Sequence, residues 1–219
     1  MKPAKNLHDV IRIIDELAAQ AIVESDRTGY FTALYRHVAV KFAWAITNGE
    51  FNDPAHMEGL DTIFFNRYLA ALEAWKAGES CSRCWELAFR TAQRNEPTVL
   101  QHLLLGMNSH INFDLGIAVA DSVPAEDLPA FRADFDKMND LLAGLLSGVL
   151  DDLTTVWPML RLLNRLFGRA EDAFVDFSMK TARTIAWSHA TRLSTLGPKA
   201  RESEIRSMDL FVTDIGREI

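Results

Sequence analysis

Apolar residues recur along this chain at spacings of three and four and almost never in alternation, so the pattern predicts helices throughout. Asn6 is placed to cap a first helix with Leu7, Val10, Ile11, Ile14, Leu17, Ala18 and Ala21 on one face, and ESDRTG ends it. A second helix is expected over about 30–46, stopping at Asn48-Gly49, and a third over about 57–76, with Glu58 and Asp61 in its first turns, where the helix dipole favours acids. Ala77-Gly78 closes the third, and Ser80 is the expected cap of a fourth over 81–94. Pro97 then opens a long, nearly all-apolar helix over about 97–121, the expected centre of the fold. After the loop DSVPAEDLP, further helices are expected over about 129–155, from Trp157-Pro158 to near Gly168, over 171–195, and over about 199–215. The pattern contains no strand, repeat or low-complexity linker. It specifies an all-α bundle of eight or nine helices, read as one domain over 1–219, with residues 1–25 and 198–219 as peripheral helices.

Composition narrows the function more than the fold. Apolar residues are 48% and charged residues 24% of the 219, the balance of a globular domain able to bury a sizeable core. The net charge of −7 and the lack of a basic stripe argue against a nucleic-acid partner. The longest uncharged apolar run, LLAGLLSGVL, is too short to span a bilayer. Asp9, Arg12, Asp15 and Glu16 interrupt the N-terminal segment, which does not read as a signal peptide, and two reduced cysteines suit a bacterial-type cytoplasm.

The candidate chemistry lies on the central helix. His102, Gly106, His110 and Asp114 follow one another at steps of four, and on an α-helix His110 and Asp114 stand about 40° apart around the axis. Neutral imidazole and carboxylate suit zinc, iron or manganese. Two ligands do not hold a metal, so His37, Asp61, Glu58 and His102 are the candidates to complete the shell, with His37 and Asp61 coming from neighbouring helices. Asp121 lies roughly 16 Å further along the axis, too far to share a mononuclear site with His110. Buried His and Asp more often satisfy each other or a nearby backbone group and so fix helix packing. Gly106 marks a close approach, of a ligand or of another helix.

Other motifs carry less. Cys81-x-x-Cys84 lacks the βαβ setting of a redox motif and a second pair for zinc, which leaves two free thiols. Arg67, a polar insertion on the third helix, is a partner for Asp61, for a carboxylate of the central helix, or for an anionic substrate. Asp172, Asp176 and Lys180 read as a solvated face, whereas Arg183, Trp187 and His189 have no clear place. Nucleophile-elbow, P-loop, dinucleotide, H-E-x-x-H and paired E-x-x-H motifs do not occur.

Through LQHLLLGMNSHINFDLGIAVAD, FFNRYLAALEAW and CWELAF, the chain resembles a family of uncharacterised bacterial all-helical proteins carrying an HINxDLG element, over most of 30–195. That resemblance implies a helical fold and brings no activity. More distantly, H-x3-D on a helix looks like the ligand pattern of all-helical zinc phospholipases and related nucleases. The carry-over is limited to His110 and Asp114 as ligands, because the repeated H-x3-D and H-x3-E pairs of that group do not occur here. Two expectations follow. The first is a metal-assisted hydrolase-like protein, with His110 and Asp114 as ligands, His37, Asp61 and His102 completing the shell, and Arg67 steadying an anion. The second is a non-enzymatic module, with either an apolar pocket for a small molecule or a structural His/Asp network that fixes helix register or a homo-oligomer.

Overall fold

The computed structural model describes residues 1–138, 141 and 170–219, the last segment with side chains from 181 onward. In chain order the described elements are α1 (Leu7–Glu24), α2 (Gly29–Thr47), α3 (Pro54–Lys76), α4 (Arg83–Ala92), α5 (Val99–Met107), a π-helical segment (Asn108–Asp114) and α6 (Leu115–Ser122). A helical stretch over 128–138, here α7, follows, and then α8 (Ala170–Leu193) and α9 (Pro198–Glu218). No strand occurs among the described residues, and the fold is all-α. The helix expected between Trp157 and Gly168, and the part of the preceding one beyond 141, lie outside the described residues.

Several helix starts are fixed by carboxylates of other helices. Asn6 caps α1 by accepting from the Asp9 amide, as its position in the sequence suggested, and Glu58 of α3 receives the Leu7 amide at 3.1 Å. Asp53 caps α3, which starts at Pro54 and so includes the EFNDPAH proline that the pattern had left in a loop. The buried Asp134 of α7 receives the Asn52 and Asp53 amides at 2.9 and 2.7 Å and anchors that corner. For α4, Asp209 of α9 takes the Arg83 and Cys84 amides at 2.9 and 3.0 Å, so the helix begins after Ser82 rather than after Ser80. α5 begins after Thr98, whose hydroxyl and Gln101 form a capping box. These carboxylates satisfy orphan N–H groups and meet the positive ends of the helix dipoles.

The expected long helix over 97–121 is the middle of the fold, but it is not one α-helix. Between Asn108 and Asp114 it widens to π geometry. The Ser109 hydroxyl donates to the Leu105 carbonyl at 3.1 Å, competing with the backbone ladder there. Asn108 is buried, its amide donating to the Val212 carbonyl of α9 at 2.9 Å and its oxygen accepting from Asn112 at 2.8 Å. The π segment packs against α3, α4, α8 and α9, while α6 lies along α8 and α3. α1 and α9 contribute Val10, Ile13, Ile14, Met208 and Val212 to the same apolar cluster as the central segment.

Two glycines on the central segment permit close approaches. A Cβ on Gly106 would stand 2.5 Å from two ring atoms of Phe31, and one on Gly116 would meet the Ala186 carbonyl oxygen at 2.8 Å. Gly106 therefore serves helix–ring packing, and Gly116 lets α6 settle onto the backbone of α8. We expect Gly106→Ala to lower the free energy of unfolding in urea by about 1–3 kcal/mol, with a smaller loss when Phe31→Leu is combined with it.

Candidate functional site

The π segment carries the two residues on which the sequence concentrated attention. Asp114 is 1% exposed and His110 is 3% exposed. Arg67 of α3 donates from Nε to Asp114 Oδ1 at 2.9 Å, and the indole Nε1 of the buried Trp85, on α4, donates to Oδ2 at 2.7 Å. The His110 Nδ1 makes a longer contact, 3.5 Å, with the same Oδ2. Of the partners open to Arg67, the carboxylate of the central segment is thus the one it takes. A buried carboxylate is tolerated only with this kind of compensation, here one guanidinium and one neutral donor.

The His110 imidazole lies flat on Phe64, with ring centroids 3.5 Å apart and planes 7° apart, and Tyr35 and Phe31 approach edge-on. Burial pushes its pKa down, against the opposing pull of Asp114, so the neutral ring is favoured. A carboxylate only accepts hydrogen bonds, so the proton of the neutral ring belongs on Nδ1, and Nε2 is left as an acceptor. Nε2 is buried and has no hydrogen-bond partner among the described residues.

Beside this ring is a cavity of about 90 Å³. Its walls are mostly apolar, among them Leu34, Phe42, Met57, Leu60 and Met107, and its polar lining residues are Tyr35, His37, Asp61, His110 and Arg183. Four buried polar atoms on these residues have no partner among the described residues: Tyr35 Oη, Asp61 Oδ2, His110 Nε2 and Arg183 Nε. Burial, helped by the charge of Glu58, raises the Asp61 carboxyl to about 7, so near neutral pH much of it is protonated and able to donate. Burial also raises the Tyr35 hydroxyl, which stays protonated.

The five expected metal ligands therefore separate. His110 and Asp114 form a pair, and Asp61 lines the same cavity as His110. His37 lines it too, but its residue is exposed, whereas the apolar run around it had suggested burial. His102 stays in α geometry and turns away from His110. It is buried against Tyr30, with ring centroids 5.7 Å apart, and lines a separate cavity of about 20 Å³ near Trp85 and Phe89. Glu58 is committed to the start of α1. Among the described residues, no group of three or more His, Cys, Asp or Glu side chains is placed to hold a metal ion.

Cys81 and Cys84 are free, and burial pushes both thiols up, away from the thiolate that redox chemistry requires. Asp121 pairs with Arg201 of α9. The side chains of Asp172, Asp176 and Lys180 lie outside the described residues. Sequence reasoning missed Trp85 and Tyr35. Their available signal was type alone: a buried Trp or Tyr needs a partner for its polar atom.

Two outcomes follow. Arg67→Met leaves the Asp114 carboxylate buried without its cation and should destabilise the fold by about 3 kcal/mol in chemical denaturation. Asp61 is more basic in the folded than in the unfolded chain, so its contribution to stability is complete below about pH 4 and is lost as pH rises through about 7. Asp61→Asn, which keeps the shape of the protonated form, should therefore raise Tm relative to the parent at pH 8 and change it little at pH 5, as followed by thermal denaturation across that range.

No curated protein and no solved structure matches the chain. Among the described residues, no helix is long and apolar enough to cross a membrane. One family model does match, over residues 7–219, which is nearly the full length. The chain belongs to that family, a family of unknown function (DUF5995).

Proposed function

We propose that the protein binds a small molecule with a compact apolar body and a hydrogen-bonding head in the cavity between α2, α3, the π segment and α8. One observation carries this reading: four polar atoms that are buried and unpartnered among the described residues belong to residues lining a single, otherwise apolar cavity. Buried polar groups are nearly always satisfied, because leaving one unpaired costs about 1–3 kcal/mol. Residues with four such groups beside one space give a ligand that widens it polar partners as well as apolar walls. Apolar walls with a few well-placed polar groups are also the usual lining of a small-molecule site.

The His110–Asp114 pair supports a second reading, proton transfer within the same pocket. Asp114, held by Arg67 and Trp85, orients an imidazole whose free Nε2 is an acceptor, while Asp61 offers a proton near neutral pH. A base and an acid of this kind lining one cavity are the elements of general acid–base catalysis. Metal-assisted hydrolysis draws less support, since it needs ligands beyond His110 that the described residues do not bring together.

The test is occupancy and its removal. A neutral probe of matching size, 3-methylbutan-1-ol, should raise Tm in a concentration-dependent way. Val38→Trp, from a half-buried position on the cavity wall, should fill the space and abolish that shift while the variant stays folded by circular dichroism. An equal shift in the parent and in Val38→Trp would sink the proposal.

A further inference from the structure

A second concavity, a groove of about 530 Å³, runs between α3, the loop before α4 and the π segment. Arg67, Ala70, Ala71 and Ala74 form one wall, spaced at three and four so that they share a face of α3 over about 10 Å. Ser80, Cys81 and Ser82 come from the loop, and Ile63, Phe113 and Trp85 add apolar surface. The residues lining this groove and those lining the cavity beside His110 do not overlap, so the two are separate sites.

Arg67 is the one cation among the described residues that line it. Its side chain is 27% exposed, against 2% for that of Asp114. Nε is committed to Asp114 Oδ1, while Nη1 and Nη2 make no hydrogen bond to a described residue. Neither is among the buried atoms that lack a partner, so both are open to solvent at the wall of the groove. The guanidinium is held from behind, by the buried carboxylate on Nε and by the Phe113 ring, whose centroid is 5.6 Å from Cζ. Asp114 does not compete for an occupant, since its oxygens already accept from Arg67 and Trp85 and contact His110. The buried pair thus fixes the plane of the guanidinium and leaves its outer fork presented.

Two parallel N–H groups in a fixed plane match the two oxygens of a carboxylate, and a pre-oriented fork loses little freedom on binding. One cation beside alanine, isoleucine and aromatic side chains suits a single negative charge on an apolar body, and the alanines leave room for that body along α3. We propose that this groove binds an amphiphilic monocarboxylate, with its carboxylate on the Nη pair of Arg67 and its apolar body along Ala70, Ala71 and Ala74. The site is independent of the small-molecule cavity proposed above, and it takes a larger and differently charged ligand.

The test compares three probes of one shape by isothermal titration calorimetry at pH 7 on the full chain: 3-phenylpropanoate, its uncharged amide, and the cationic 3-phenylpropylamine. The carboxylate should bind about tenfold tighter than the amide, and the amine should not bind. Ala70→Trp, at an exposed position on the groove wall, should weaken the carboxylate by about tenfold or more while the variant stays folded by circular dichroism. Val38→Trp, which fills the cavity beside His110, should bind the carboxylate as the parent does, so the two sites are tested apart. Arg67→Lys keeps a cation for Asp114 but loses the planar fork, and should weaken the carboxylate while leaving the amide nearly unchanged. If that variant does not fold, Ala70→Trp and the three-probe comparison on the parent still decide. Amide binding as tight as that of the carboxylate overturns the proposal, as does undiminished binding to folded Ala70→Trp or loss of binding in folded Val38→Trp. Failure of the carboxylate to bind the parent at about 10 mM, near the weak end of measurable affinity, overturns it as well.

Discussion

The buried carboxylate of Asp114 is the point on which the centre of this molecule depends. It cannot stand in the core without donors, and it draws them from two further elements: the Arg67 guanidinium of α3 and the Trp85 indole of α4. His110, one turn before it, completes the shell. The carboxylate thereby fixes how α3 and α4 sit against the π segment, and it fixes the ring orientation of His110. The apolar cluster around it would pack in many ways with similar area. A charge with a few specific partners permits far fewer.

The π geometry from Asn108 to Asp114 belongs to the same arrangement. In a regular α-helix, His102 and His110 would follow one another on a single drifting stripe, about 12 Å apart along the axis. The wider turn ends that stripe: His102 packs against Tyr30, while His110 stacks on Phe64. Ser109 bonding back to Leu105, and Asn108 reaching Val212, accompany the change. Short π segments inside α-helices are frequent at functional sites. Here the consequence is an imidazole that lines a cavity instead of a helix–helix seam.

Around that cavity, stability and ligand recognition oppose each other. Asp61, Tyr35, His110 and Arg183 each bury a polar atom with no partner among the described residues, at a cost that apolar replacements would avoid. The aromatic rings beside them exclude water and keep the local dielectric low. The same surroundings raise the Asp61 carboxyl to about 7 and favour the neutral His110 ring.

How much was legible in the residues follows from the range of the forces involved. Three-four periodicity, Asn6 as a cap, the breaks at Asn48-Gly49 and Ala77-Gly78, and the His110–Asp114 pair are local, and the sequence by itself determined them, together with the all-α class. The tertiary structure alone decided where the remaining polar groups went. Helix starts moved because Asp209 and Asp134 reach across from other helices. His37 came out exposed and His102 turned away, because burial depends on what packs opposite and on a π turn that periodicity does not encode. Trp85, more than twenty residues from Asp114, and Arg183, nearly seventy residues from it, joined the core and the cavity through contacts between distant segments. No spacing rule along one chain records such contacts, since their free energy exists only once the helices have docked.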